Sequence, residues 1–274
     1  MNWLRQILFF LVGFYLIVVF LAYLFQAKLL FFPDSRKLSE CQGAKQLGFQ
    51  IIDNQYGNQA VRFLLKTDPL ARANIIIFHG NASSACNSLP YYLEMKDLRL
   101  NFIIASYPGY EGDHRKPGQE VFLKNGEALV DYLKSQNYGH LPMILFGESL
   151  GTGVATYLAS VRPANGLILK SPYTSISEIG AFHYPFLPIY LINQNVFPAY
   201  IWAPAVKCSV LVLHGTDDQT IPIKFGQKQA GFFKSQVRFV AIQGAGHNDI
   251  LNLGDRIIWK EVGDFINRVI PSIR

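Results

Sequence analysis

Apolar positions along the chain fall into two regimes. Residues 7–25, "ILFFLVGFYLIVVFLAYLF", carry no charge and no polar face. A run of about 20 such residues is long enough to cross a bilayer as one helix. Beyond it the apolar residues are divided into short blocks. After a polar stretch to about Leu47, "FQIIDN" and "AVRFLLK" predict two strands. "ANIIIFHG" is a continuous apolar run, as a strand buried on both faces requires. "NFIIASYPG", "MILFG", "GLILKS", "CSVLVLHG" and "VRFVAIQGAGH" repeat that kind. Helical spacing separates them at 83–95, 119–134, 150–161, 224–233 and 255–269. Buried strands alternating with helices predict an α/β fold: a mostly parallel central sheet with helices on both faces.

The first regime reads as an anchor. Arg5 precedes it, Lys28 follows it, and Trp3 and Tyr23 suit the two interfaces. A cleaved signal peptide is the rival. Its apolar core is shorter, about 7–15 residues, and ends in small side chains. Here Phe25 occupies a position of Phe25-Gln26-Ala27 that wants a small residue. The reading taken is a single-pass transmembrane anchor at 1–28 and a catalytic domain at 29–274. Lys28, Arg36 and Lys37 outnumber Arg5 plus the amino terminus, a slight lean toward a cytoplasmic domain.

Composition narrows the classes. Of 274 residues, 50% are hydrophobic and 16% charged, which excludes a disordered chain. The net charge of +6 is scattered, with no basic run to track phosphates, so no nucleic-acid partner is expected. Cys41, Cys86 and Cys208 cannot all pair and lack metal-ligand spacing; bland buried cysteines are expected. No phosphate-cradling loop or dinucleotide fingerprint follows the first central strand, so neither a cofactor nor a metal is expected.

The chemistry gathers after the strands. "LFGESLGTGVA" sets Ser149 between Gly147 and Gly151, behind an apolar run and ahead of a helix. That is the setting of a nucleophile elbow, whose glycines avoid collisions between strand and helix. Two further clusters are His214-Gly215-Thr216-Asp217-Asp218 and Gly244-Ala245-Gly246-His247. A serine hydroxyl needs a base, and a neutral imidazole suits that task. His247, on a glycine-rich loop, is assigned it. A carboxylate must then hold the imidazole tautomer, and Asp218 is assigned that role. Backbone N–H groups of Leu150 and Asn81, the latter in "HGNAS", are assigned to the oxyanion. His79 and His214 are expected to bond loop backbone; His114, His140 and His183 to lie on the surface or a lid.

These stretches, with "FFPDSR", "YPGYEGD", "SPYTSISE" and "LHGTDDQTIP", resemble the α/β-hydrolase superfamily of serine hydrolases. The resemblance is nearest to membrane-anchored α/β-hydrolase-domain proteins, the depalmitoylase-like branch and its bacterial relatives. It covers nearly everything after residue 25. It implies an α/β-hydrolase fold, a Ser149-Asp218-His247 triad, and an acid three residues before Ile221-Pro222; Asp217 is the alternative acid. The substrate implied is an ester or thioester, with a serine peptidase or an inactive membrane scaffold as alternatives.

An insertion at about 176–206 departs from the pattern. From 179 to 206 it holds no Asp, Glu, Lys or Arg and is rich in aromatics. Pro185, Pro188, Pro198 and Pro204 argue against a second spanning helix. A small apolar cap over the site is expected: an acyl pocket, a membrane-facing patch, or both.

Overall fold

The computed structural model describes residues 2–253 and 255–270. Helix α1 (Asn2–Leu30) is followed by α2 (Gln42–Gln46), β1 (Gln50–Tyr56), β2 (Gln59–Lys66) and β3 (Ala73–Phe78). Then come α3 (Leu89–Met95), β4 (Leu100–Ala105), α4 (Gln119–Lys134), β5 (Met143–Glu148), α5 (Leu150–Val161) and β6 (Gly166–Lys170). The cap contributes α6 (Ile176–His183), α7 (Ile189–Ile192) and α8 (Ala199–Trp202). The chain continues through β7 (Ser209–Gly215), α9 (Ile223–Ala230), β8 (Val237–Ile242), α10 (Ile250–Leu253) and α11 (Asp255–Val269).

The strands form one sheet of order β1-β2-β4-β3-β5-β6-β7-β8. β1 and β2 form an antiparallel hairpin, and β2 runs antiparallel to β4. The remaining pairs are parallel. From β3 the chain steps outward to β4, then crosses back over β3 to β5. This reversal puts a switch point at the carboxyl ends of β3 and β5, where α/β sheets open a crevice. Every residue of β3, β4 and β6 is buried, which accounts for their unbroken apolar runs. The pleat sends Ile76 and Phe78 toward α4 and α5. Ile75 and Ile77 face the core that includes Leu89 of α3 and Val262 of α11.

Among the described residues α1 is the one helix long and apolar enough to cross a membrane, with mean hydropathy 2.8. It extends beyond the apolar run at both ends. Phe31, next after it, is buried, with its ring 5.3 Å from that of Phe122 on α4.

Three expectations are corrected. The polar stretch before Leu47 contains α2. The helix expected at 83–95 begins as helix only at Leu89, preceded by a turn and a 3-10 segment; Pro90 lacks an N–H and so suits a first turn, not an interior. The cysteines are not all unpaired: Cys41 and Cys86 form a disulfide, with Cα atoms 5.8 Å apart. Their separation of 45 residues hid the pairing; the fold lays the segment after α1 against the loop after β3. Cys208 is free and half-buried, and burial raises its thiol to about 11.

Candidate active site

The turn from β5 to α5 is strained at Ser149. Ser149 has φ 50°, a left-handed value that non-glycine residues rarely adopt. Its N–H bonds Lys170 O on the neighbouring strand (2.9 Å), while its carbonyl accepts from Thr152 N (2.9 Å) and Thr152 Oγ1 (2.6 Å). The flanking glycines are needed for space. A Cβ on Gly147 would lie 2.5 Å from Gly151 O, and one on Gly151 would run into the backbone of Phe78. The turn therefore brings β5, α5 and the end of β3 closer than side chains permit.

Loops after β7 and β8 deliver two more groups. His247 Nε2 lies 3.0 Å from Ser149 Oγ, and its Nδ1 lies 2.7 Å from Asp218 Oδ2. With Nδ1–H donating to the carboxylate, Nε2 is left with a lone pair toward the hydroxyl. The other carboxylate oxygen, Oδ1, accepts from Thr220 N (2.9 Å) and Ile221 N (2.7 Å). Burial pushes the Asp218 carboxyl up, but bonds from His214, His247 and the backbone outweigh it and hold the group far below the usual range. Asp217 is exposed and accepts from the Thr216 hydroxyl instead (2.9 Å). Thr216 Oγ1 accepts from Gly244 N (2.8 Å), and Asp217 N donates to Ala245 O (2.9 Å), so the acid and histidine loops are knitted together.

The expected oxyanion donors flank this line. Leu150 is the first residue of α5, so its N–H lies outside the helix's own bonding. Gly80, before Asn81, is close enough that a Cβ there would sit 3.5 Å from Ser149 Cβ. The Asn81 side chain has a task that the sequence did not suggest. It donates to Leu30 O (2.5 Å) and accepts from Phe32 N (3.1 Å) and Tyr110 Oη (2.7 Å). The turn after β3 is thereby latched to the end of α1. Tyr107 Oη donates to His79 O (2.9 Å), bracing the same turn.

Behind the elbow a buried lysine pairs with a half-buried glutamate, an ion pair that sequence reasoning passed over. Lys170 Nζ meets Glu148 Oε1 at 2.5 Å, and Tyr91 Oη donates to Glu148 Oε2 (2.9 Å). Burial pushes the Glu148 carboxyl up, but the Lys170 charge and these bonds hold it below its ordinary value. Burial, with the charge on Glu148, pushes the Tyr91 phenol well up. One signal existed: Lys170 ends the apolar run "GLILK", and a lysine that deep needs a partner. The remaining histidines fall as expected. His79 Nδ1 lies 2.7 Å from Gly80 O and His214 Nε2 2.8 Å from Ile221 O. His114, His140 and His183 are exposed, His183 bonding Thr220 O from the cap (2.9 Å). No group of His, Cys, Asp and Glu side chains among the described residues is arranged to hold a metal ion.

Comparison with known proteins agrees with this architecture. No family model matches the chain. It is 27% identical over 244 residues to an uncharacterized Mycobacterium tuberculosis protein, covering 88% of this chain and 87% of that protein. It is 28% identical over 179 residues to lysophosphatidylserine lipase ABHD12 of Gallus gallus, covering 56% of this chain and 45% of the lipase. Among solved structures, the Pyrococcus furiosus esterase PF2001 superposes with TM-score 0.70 at 16% identity, over 88% of this chain and 99% of the esterase. The chain has the α/β-hydrolase fold.

Proposed function

We propose that the protein is a membrane-anchored serine hydrolase that cleaves carboxylic esters or thioesters carrying an apolar acyl group. The observation that supports it most is the hydrogen-bonded line Asp218–His247–Ser149, ending on a serine held at positive φ. Esterase and lipase relatives favour ester hydrolysis over peptide hydrolysis. Ser149 Oγ attacks the carbonyl carbon as its proton passes to His247 Nε2. Asp218 stabilises the imidazolium, and the N–H groups of Asn81 and Leu150 receive the tetrahedral oxyanion. Collapse breaks the ester or thioester bond. The leaving alcohol or thiol takes the proton from His247 and an acyl-Ser149 remains. Water, deprotonated by His247, attacks that acyl group; the second collapse releases the acid and returns the proton to Ser149. The test is Ser149→Ala in the full chain: loss of ester hydrolysis by about 10⁴-fold or more is expected. A variant that keeps most of its activity would overturn the mechanism.

Residues 7–25 of α1 serve as the anchor in this reading. For its side of the membrane, the disulfide outweighs the charge count. Cys41–Cys86 ties the segment after the anchor to the loop after β3, and such bonds persist in oxidising compartments. The catalytic domain is therefore placed on the oxidising face, against the slight cytoplasmic lean of Lys28, Arg36 and Lys37. Cysteine-directed mass tagging of intact cells without reductant checks this: Cys41 and Cys86 should resist alkylation until reduced.

A further inference from the structure

We propose that the groove between α1 and the cap is an acyl-chain site, entered sideways from the hydrocarbon of the bilayer, so that the anchor is one wall of the substrate site. This rests on the serine-hydrolase and anchor readings above and names where their acyl substrate lies. The groove encloses about 360 Å³ between Ala22, Leu29 and Leu30 of the helix and Tyr184, Ile189 and Ile192 of the cap. Its volume lies in the range of small-molecule sites, about 300–1,000 Å³.

Three observations select a lipid tail as its occupant. The first is the surface it presents. No charged residue lines it. On α1, Ala22, Gln26 and Leu30 recur every four residues and are half-buried, while the residues between them are exposed. Gln26 is the polar member of that stripe, and its amide is already committed. Nε2 donates to Ile192 O (3.0 Å) and to Tyr23 O (2.9 Å), and Oε1 accepts from Gln194 N (2.7 Å). Asn193 is committed too, to Ser177, Asn195 O and Asn195 N, so apart from the Tyr184 hydroxyl what is left for a ligand is apolar, and the groove suits a tail better than a headgroup.

The second is depth. Tyr15 Oη donates to Phe186 O (2.9 Å), eleven residues before Gln26 on the helix. At 1.5 Å rise per residue that is about 16 Å along the axis. The cap therefore accompanies α1 well into the 7–25 span. Its outward face agrees: Phe186 is 64% and Leu191 86% exposed, and neither has a charged neighbour between 179 and 206. Such a face is costly in water and at home in hydrocarbon.

The third is the inner end. Leu30 and Phe32 line the groove, and both are latched to the Asn81 side chain. Asn81 follows Gly80, which lies against Ser149. In this proposal a chain lying in the groove points its carbonyl toward the serine. A membrane lipid could slide in from the bilayer and reach Ser149 without its tail crossing water.

The experiment uses the full chain in lipid nanodiscs. Activity is measured on p-nitrophenyl esters from acetyl to myristoyl, each below its micelle-forming concentration. For wild type, kcat/KM should rise with chain length, by up to about fourfold per buried methylene, until the groove is full. Ala22→Trp narrows the groove from the helix side and Ile192→Trp from the cap side. Each should lower the myristoyl-to-acetyl ratio of kcat/KM at least tenfold. Each ratio compares one preparation with itself, so loss of folded protein cancels. Ratios equal to wild type in both variants would overturn the groove while leaving the serine chemistry standing. A wild-type protein that hydrolyses no ester, or that hydrolyses equally well as Ser149→Ala, would remove the hydrolase reading itself.

Discussion

The carboxyl ends of β3, β5, β7 and β8 and the α1–cap region, which the proposal joins into one site, are built by opposite rules. At the strand ends, position is fixed by backbone. Gly147 and Gly151 let three elements touch, Asp218 is held by two main-chain N–H groups, and the acid and histidine loops bond each other. In the α1–cap region, short helices separated by prolines are joined to α1 by side-chain bonds, from Tyr15, Gln26 and Gln194. Fixed dipoles suit chemistry, in which a displacement of an ångström is expensive. A jointed apolar wall suits a substrate whose tail varies.

The comparison breaks most readily at the acid. Asp218→Asn should lower kcat by about 10⁴-fold, because the amide cannot hold the required tautomer of His247. Asp217→Asn should change it by no more than a few-fold, since Asp217 faces solvent. Steady-state kinetics on a short ester separate the two, and the reverse order would reassign the acid to the exposed residue.

A smaller effect tests whether the two regions communicate. Asn81→Ala keeps its main-chain N–H but loses the latch to Leu30 O, Phe32 N and Tyr110. A complete loss of one oxyanion donor costs about 10²–10³ in kcat. Misplacing one should cost less, about tenfold, with KM for acetyl esters little altered. An unchanged kcat would mean that the oxyanion turn is held without help from the anchor.

The strand-end region also carries a signature in stability. The folded-state pKa of Asp218 lies below its unfolded value of about 3.9. The sign follows by linkage: its ionisation contributes stability that is complete above the unfolded value and is lost as pH falls through it toward the folded one. Denaturant unfolding between about pH 5 and pH 2 should show a steeper loss for wild type than for Asp218→Asn. Parallel curves would mean that the carboxylate is not stabilised as its bonds indicate.

The smallest expected effect concerns the cap itself. Read as a sequence, its aromatics formed one apolar insertion. In the fold they divide. Trp202 packs on Tyr157 of α5, with ring centroids 5.1 Å apart, whereas Tyr184, Ile189 and Ile192 face α1. Trp202→Ala should therefore lower the melting temperature without flattening the chain-length trend. A flattened trend would place Trp202 at the acyl site instead.

What the sequence made legible follows the same division. Eight strands, the parallel centre and the helices at 119–134, 150–161 and 255–269 were readable, because fully buried strands and amphipathic helices leave periodic marks. That Ser149, Asp218 and His247 come together was readable because glycines and chain order surround them. Illegible were contacts between distant, chemically ordinary residues: Cys41 with Cys86, Lys170 with Glu148, Asn81 with the main chain of Leu30 and Phe32. Each pairs residues that no local pattern links, and only the strand order brings them together.

The central claim is that Ser149 is an activated nucleophile, and a fluorophosphonate probe tests it most directly. The full chain in membranes is treated with the probe, digested and mapped by mass spectrometry. The account predicts one covalent adduct, on the peptide carrying Ser149, absent from Ser149→Ala and strongly reduced in Asp218→Asn. A wild-type chain that stays unlabelled, or an adduct that persists in Ser149→Ala, would contradict it.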